Sequence, residues 1–318
     1  MTPRSDSRPT FDTFVHSPSP VLPLKRANHE HEVLDEIPTQ TAEQLAQALN
    51  MSARTVHLPQ TNTTSFPIMR SAAALASQRR GTTITKFPTH FLPLDKLLEG
   101  GIPRGRILEL SGPPGAPKGR VAVGVVRSFL EAEEGVLFVD CQNMSNPRIL
   151  EETLKDLPNH QTLLSYLKVS ALLQFVIFIH NLGTYLLAHP TLSLLVIDTI
   201  SFPFQSTTDI KTSAKTSMFD QIKRTLVHDC AAHNLTVVIT SQLATKLFNP
   251  DGSPGNFESG AKGVLVPQLG PAYLPAGRTY RVILSRETAD TGLVRILSSP
   301  EGPRSTMGSY EPFHWSPH

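Results

Sequence analysis

Residues 107–120, ILELSGPPGAPKGR, decide the fold. Four apolar-patterned residues, Ile107 to Leu110, have the length and composition of a buried strand. A Gly/Pro-rich turn follows, Ser111-Gly112-Pro113-Pro114-Gly115-Ala116-Pro117, and then Lys118, Gly119, Arg120 and an apolar helical segment. Strand, glycine-rich loop and helix in that order form the setting in which backbone N–H groups and a helix N-terminus cradle phosphate. The usual pattern is Gly, four residues, then Gly-Lys-Ser/Thr. Gly112 and Lys118 stand at the right offset, but Pro117 replaces the second glycine and Gly119 replaces the hydroxyl residue. Proline has no N–H and a fixed φ, so one donor is lost and the loop is expected to change shape. Without the hydroxyl there is no side-chain oxygen for magnesium at that place. Lys118 remains as a point charge toward phosphate, with Arg120 to assist. Read locally, the same residues also suit a plain rigid turn ahead of a helix.

Outward from that loop the chain alternates. VLFVD (136–140), LKV (167–169), LLVID (194–198) and TVVIT (236–240) are short β-branched runs, and helical segments over 119–132, 146–156, 171–188 and 215–233 lie among them. Several of the runs lack period-two alternation, as strands buried on both faces do. The pattern predicts an α/β fold: a mostly parallel central sheet with helices on both faces. The stretch TYRVILSRETADTGLVRILSSP (279–300) predicts two further strands around a turn at Asp290 to Gly292, an antiparallel C-terminal extension.

Ahead of this core the composition differs. Residues 1–70 are rich in Pro, Ser and Thr and read as a mostly disordered tail with one short helix near Thr41 to Met51; the core is expected over 71–318, opening on a helix from Ser71 to Arg80. The formal net charge is only +2, so no global basic field compels a nucleic-acid reading. Two isolated cysteines, Cys141 and Cys230, lack metal-ligand spacing and suit a reducing compartment. The N-terminus has no apolar run of the signal-peptide kind. The most apolar stretch, Leu172 to Ala188, contains Gln174, His180 and Asn181 and is short for a membrane span, so it is expected to be a buried helix.

Three polar positions follow strand ends. Asp198 closes LLVID, where a magnesium-orienting carboxylate would sit; a strand-end aspartate also caps turns. Gln142 lies two residues past Asp140, where an acidic residue would activate water; an amide cannot act as that base. Gln242, after VVITS, is placed to sense a γ-phosphate or a neighbouring loop, or is simply a polar strand end.

Taken together, LDKLLEGGIPRGRILELSGPPG (94–115), LLVIDTISFPF (194–204), VVITSQLATKL (237–247), VLVPQLGPAY (264–273), RTYRVIL and SSPEG resemble the RecA-like recombinases, and among them the eukaryotic Rad recombinase paralogues, the C-type paralogue in particular, as a divergent fungal-like member. The resemblance covers about residues 71 to 305. It implies a RecA-like core using ATP and magnesium, with Gly112, Pro113, Pro114, Gly115, Ala116, Pro117, Lys118, Gly119 and Arg120 as the nucleotide loop, Asp198 as the metal-linked aspartate and Gln242 as the sensor. It implies a second DNA-contacting loop over about 244–266 with Lys246 and Lys262, and Arg278 near phosphates. A first loop after Phe204 would carry Lys211 and Lys215. Asp251 and Glu258 dilute the positive charge of these loops, which leaves solvated loops without DNA contact as an equal reading. Where the family has Gly, Thr and Glu this chain has Pro117, Gly119 and Gln142, and these departures argue against a full ATPase cycle. Phe66 lies where family members dock on a neighbour, but FPIM lacks the small residue expected after it.

The expectation is therefore a recombination-repair adaptor in the nucleus. It would bind partner paralogues or the recombinase itself and single-stranded DNA, with no membrane. Two alternatives stay open: an active DNA-dependent ATPase, and a RecA-like scaffold outside DNA repair.

Overall fold

The computed structural model describes residues 85–314 apart from 143–146, 208–209, 252, 257, 259, 289 and 302–309. The proposed tail, the helices expected at 41–51 and 71–80, and Phe66 lie outside the described residues.

In chain order the elements are β1 (Lys86–Phe87), α1 (Leu92–Leu97), β2 (Ile102–Pro103), β3 (Ile107–Gly112), α2 (Lys118–Glu131), β4 (Gly135–Asp140), α3 (Pro147–Leu154), α4 (His160–Leu163), β5 (Leu164–Lys168), α5 (Leu172–Ala188), β6 (Leu192–Asp198), α6 (Ser201–Gln205), α7 (Thr212–Ala232), β7 (Thr236–Phe248), β8 (Lys262–Pro267), β9 (Thr279–Arg286), β10 (Thr291–Ser298) and β11 (Tyr310–His314). The main sheet runs β11-β10-β9-β3-β7-β6-β4-β5, with β8 added to β7. From β9 to β5 every neighbour is parallel, and β10 and β11 extend the sheet antiparallel. This is the α/β architecture expected from the alternating pattern.

All six residues of β3 and of β4 are buried, which explains why their sequences carry no polar alternation. Successive side chains still point to opposite faces. Leu108, Leu110, Val136, Phe138, Leu194, Val196, Val238, Val282 and Leu284 join one cluster with Val121, Ala122, Val125, Val126 and Phe129 of α2. Phe129 stacks on Phe87, ring centroids 3.8 Å apart, and so ties β1 to α2. On the other face an aromatic chain links Phe175 of α5, Phe204 of α6, Phe219 of α7 and Tyr273. The apolar stretch 172–188 is helix α5, with Phe175, Val176, Phe178, Ile179, Leu182 and Leu186 buried, and no helix among the described residues is long and apolar enough to cross a membrane.

That second face contains a charge. Glu109 faces Arg281 in register across β3 and β9. Its carboxylate accepts from Arg281 Nε at 2.6 Å and from the Tyr273 hydroxyl at 2.7 Å, with the Glu109 side chain 1% exposed. Burial first, then the Glu109 charge, pushes the Tyr273 phenol well above its ordinary range, so it stays a donor. Removing one partner leaves a buried uncompensated charge. Arg281→Met is expected to lower the stability of the fold by roughly 3 kcal/mol, read as a reduced urea midpoint at unchanged slope.

The structure corrects two boundaries that bear on the site. The stretch expected to be a loop over 244–266 has a paired base: β7 continues to Phe248 and pairs with β8 from Leu243↔Pro267 to Phe248↔Lys262. The run Val264-Leu265-Val266 supplies the β-branched partner strand that its glycine-rich surroundings obscure. Helix α7 begins at Thr212, so Lys215 lies on the helix and Lys211 at its N-cap.

Candidate nucleotide site and adjoining hairpin

Parallel strands gather their C-terminal ends along one edge of the sheet, and the loops leaving those ends form the natural crevice of an open α/β fold. The register brings the expected residues to that edge. Gly112 pairs with Gln242 across β3 and β7, and Asp140 pairs with Asp198 across β4 and β6. Arg278 is at the opposite end: Ile107 pairs with Thr279 at the starts of β3 and β9, and the Arg278 guanidinium bonds the Gly105 carbonyl. It therefore does not join the hairpin in contacting a common ligand, because β9 runs parallel to β3 and the arginine precedes it.

The loop from Pro113 to Pro117 turns its donors on itself. Ala116 N donates to Pro113 O at 3.1 Å and Lys118 N to Ala116 O at 2.8 Å. Pro113, Pro114 and Pro117 have no N–H. Pro117, φ −72 and ψ 27, is the residue before the first turn of α2. A proline fits there because a helix start leaves its first N–H groups unpaired anyway. Gly112 is required by space: a Cβ on it would stand 2.7 Å from Leu284 O of β9. Gly115 has φ +78, a left-handed conformation that side chains resist.

Lys118 is buried, and its ammonium donates to the carbonyls of Gly112 at 2.7 Å and Pro113 at 2.8 Å. Desolvation lowers its pKa from 10.5 to about 8, opposed by the charge of Asp198. Asp198 Oδ1 accepts from the hydroxyls of Thr199, at 3.0 Å, and Thr240. A Cβ on Gly119 would lie 3.7 Å from Asp198 Oδ2, so the second carboxylate oxygen faces the position where the hydroxyl of a Ser or Thr is missing. This donor set does not fit a magnesium ion held between a loop hydroxyl and an aspartate. One half of the pair is gone and the other is engaged by two threonines.

Beside it, Asp140 is fully buried. Tyr166 donates to Asp140 Oδ2 at 2.8 Å and the Gln142 amide to Oδ1 at 2.9 Å. Burial, then the bond to Asp140, raises the Tyr166 pKa. Gln142 thus sits just past β4, half-buried, at the crevice, but with an amide side chain. Gln242 is anchored through its backbone: its N donates to Ser201 Oγ at 2.9 Å and its O accepts from Gln268 N at 2.9 Å. The strand-end hydroxyls around Asp198 and the Tyr166–Asp140 bond were not singled out from the sequence; threonines flanking a strand-end aspartate are the signal that could have found the first.

The hairpin of β7 and β8 extends beyond the sheet. Its register puts Lys246 opposite Val264 and Phe248 opposite Lys262, so both lysines share one face with Phe248, which is two residues along β7 from Lys246 and directly across from Lys262. Lys215 at the start of α7 lies 5.6 Å over the Phe219 ring.

The strand order, the strand–loop–helix unit at its centre and the aspartate across the crevice define a RecA-like core. No family model matches the chain. It is 26% identical to the DNA repair protein RAD51 homolog 3 of Dictyostelium discoideum over 220 residues, 60% of this chain and 55% of that protein. It is 24% identical to Protein RecA of a Picosynechococcus strain over 56% of this chain and 50% of that protein. It is also 24% identical to the DNA repair and recombination protein RadB of Methanosphaera stadtmanae over 50% of this chain and 68% of that protein. The chain thus resembles the RecA-like recombinases, a Rad51 paralogue among them. The match spans about half the length of the first two relatives.

Between pH 8 and 10.5 the unfolded chain holds a proton on Lys118 that the folded chain has released, so this group makes stability rise with pH across that window. The melting temperature of the chain minus that of Lys118→Met is expected to be flat below pH 8 and to climb above it.

Proposed function

We propose that this chain is a RecA-like subunit of homologous-recombination DNA repair that works by binding rather than by turning over ATP. It would assemble with sister paralogues or the recombinase in the nucleus and contact single-stranded DNA. The single observation that carries the reading is the phosphate loop, whose amides at Ala116 and Lys118 bond the loop's own carbonyls while Pro117 offers none. The sheet around it is complete, so the fold is retained where the chemistry is not. Three groups that a hydrolytic cycle needs are altered together: the loop donor at Pro117, the metal hydroxyl at Gly119 and the water-activating acid at Gln142.

The proposed nucleotide-facing residues are Gly112 to Arg120, Asp198 and Gln242. The DNA-facing residues are Lys246 and Lys262 on one hairpin face, with Lys211 and Lys215 at the start of α7. An aromatic ring beside two cations on one face is an arrangement that sequence-tolerant single-strand binding uses, with bases on the ring and phosphates on the lysines. The chain would divide into a tail over 1–70 and a core over 71–318.

ATP turnover by the purified full chain, with and without single-stranded DNA, tests the reading. Turnover is expected to stay at the level of Lys118→Ala under both conditions; DNA-stimulated hydrolysis lost in that variant would instead establish an active ATPase. For DNA, the double variant Lys246→Glu/Lys262→Glu is expected to weaken single-strand binding and to lower the salt slope by roughly 1.4, about 0.7 for each lost phosphate contact. Failure to bind either single-stranded DNA or any recombinase-type partner would point to a scaffold outside repair.

A further inference from the structure

The loop faces a second cation that the sequence reading did not assign. Strand β9 runs parallel to β3 and its register passes Ser111↔Ile283, so its last residue, Arg286, reaches the level of the loop. A methyl group on Gly115 would lie 2.9 Å from Arg286 Nη1. The guanidinium therefore stands against the one loop residue that has neither a side chain nor a proline ring, and whose left-handed φ of +78 excludes bulk there. Lys118 approaches the loop from the helix side, where its ammonium holds the carbonyls of Gly112 and Pro113.

We infer that Arg286 and Lys118 together form a two-cation clamp that holds the phosphates of a nucleotide free of metal. The inference rests on the loop being a nucleotide site and adds its mode of binding. Magnesium in such loops offsets phosphate charge and needs the hydroxyl that Gly119 lacks. A guanidinium offsets the same charge without a metal and matches phosphate with paired donors. No bond is made or broken in this role.

Calorimetric titration of ADP and ATP into the full chain, in magnesium and in EDTA, tests the clamp. Binding is expected to be tighter in EDTA than in magnesium, because magnesium in solution competes with the clamp for the phosphates. Arg286→Ala is expected to weaken both nucleotides about tenfold in EDTA, one charge-assisted contact, in a variant that is still folded by circular dichroism. Arg286→Lys should recover part of that loss, and Arg295→Ala, an exposed arginine on β10, should have no effect. Binding that requires magnesium, an Arg286→Ala variant that binds like the parent, or absence of nucleotide binding by the parent would each overturn the clamp. None of those results touches the adaptor reading, which falls instead on DNA-stimulated turnover.

Discussion

Strand β3 is enclosed on every side, and the molecule is arranged around that fact. It pairs in parallel with β7 and β9, and all six of its residues are buried. A strand so placed must satisfy any polar group it carries from within. Glu109 does so through Arg281 and Tyr273. Ser111 does so through Ser241, Oγ to Oγ at 2.8 Å. The chain can leave only at Gly112, beneath the carbonyl of Leu284, and that exit fixes where the loop and the start of α2 stand. Asp198, Gln242 and Arg286 come to the same place because their strands share the direction of β3.

Within that frame the loop departs from the usual phosphate cradle in a self-consistent way. Two prolines ahead of Gly115 and one after Ala116 remove donors, and the remaining amides at Ala116 and Lys118 close short bonds inside the loop. The ammonium of Lys118 caps the carbonyls that result. The threonine pair on Asp198 works alike, giving a carboxylate other partners where the loop offers no hydroxyl.

Much of this was legible in the sequence, for local reasons. The runs at 107, 136, 194 and 236 are apolar and β-branched, and burial on both faces writes itself directly into composition. Lys118 and Asp198 were legible because a strand end followed by a glycine-rich loop or an acid has few other meanings. The hairpin was not, since β7 beyond Gln242 reads TKLF amid polar and glycine residues and finds its partner only after an intervening loop. Arg286 was not, because nothing near it in the chain resembles a site; parallel pairing of β9 with β3 alone carries it to Gly115. Tyr273 likewise meets Glu109 only through the folded chain, although an acid inside ILEL and an arginine inside YRVIL hinted at a buried pair.

The foot of the hairpin is held on both strands, at Gln242 by Ser201 and at Gln268 by the Gln242 carbonyl, whereas midway along it Val264 and Leu265 are exposed and the pairing runs on to Phe248 and Lys262. Such an arm behaves as a cantilever: displacement is smallest at the clamp and grows toward the free end. Load applied to the tip by a polymer lying along it is delivered as torque at the root, next to Gly112 and the crevice. The paired strands between root and tip limit how far that end can wander.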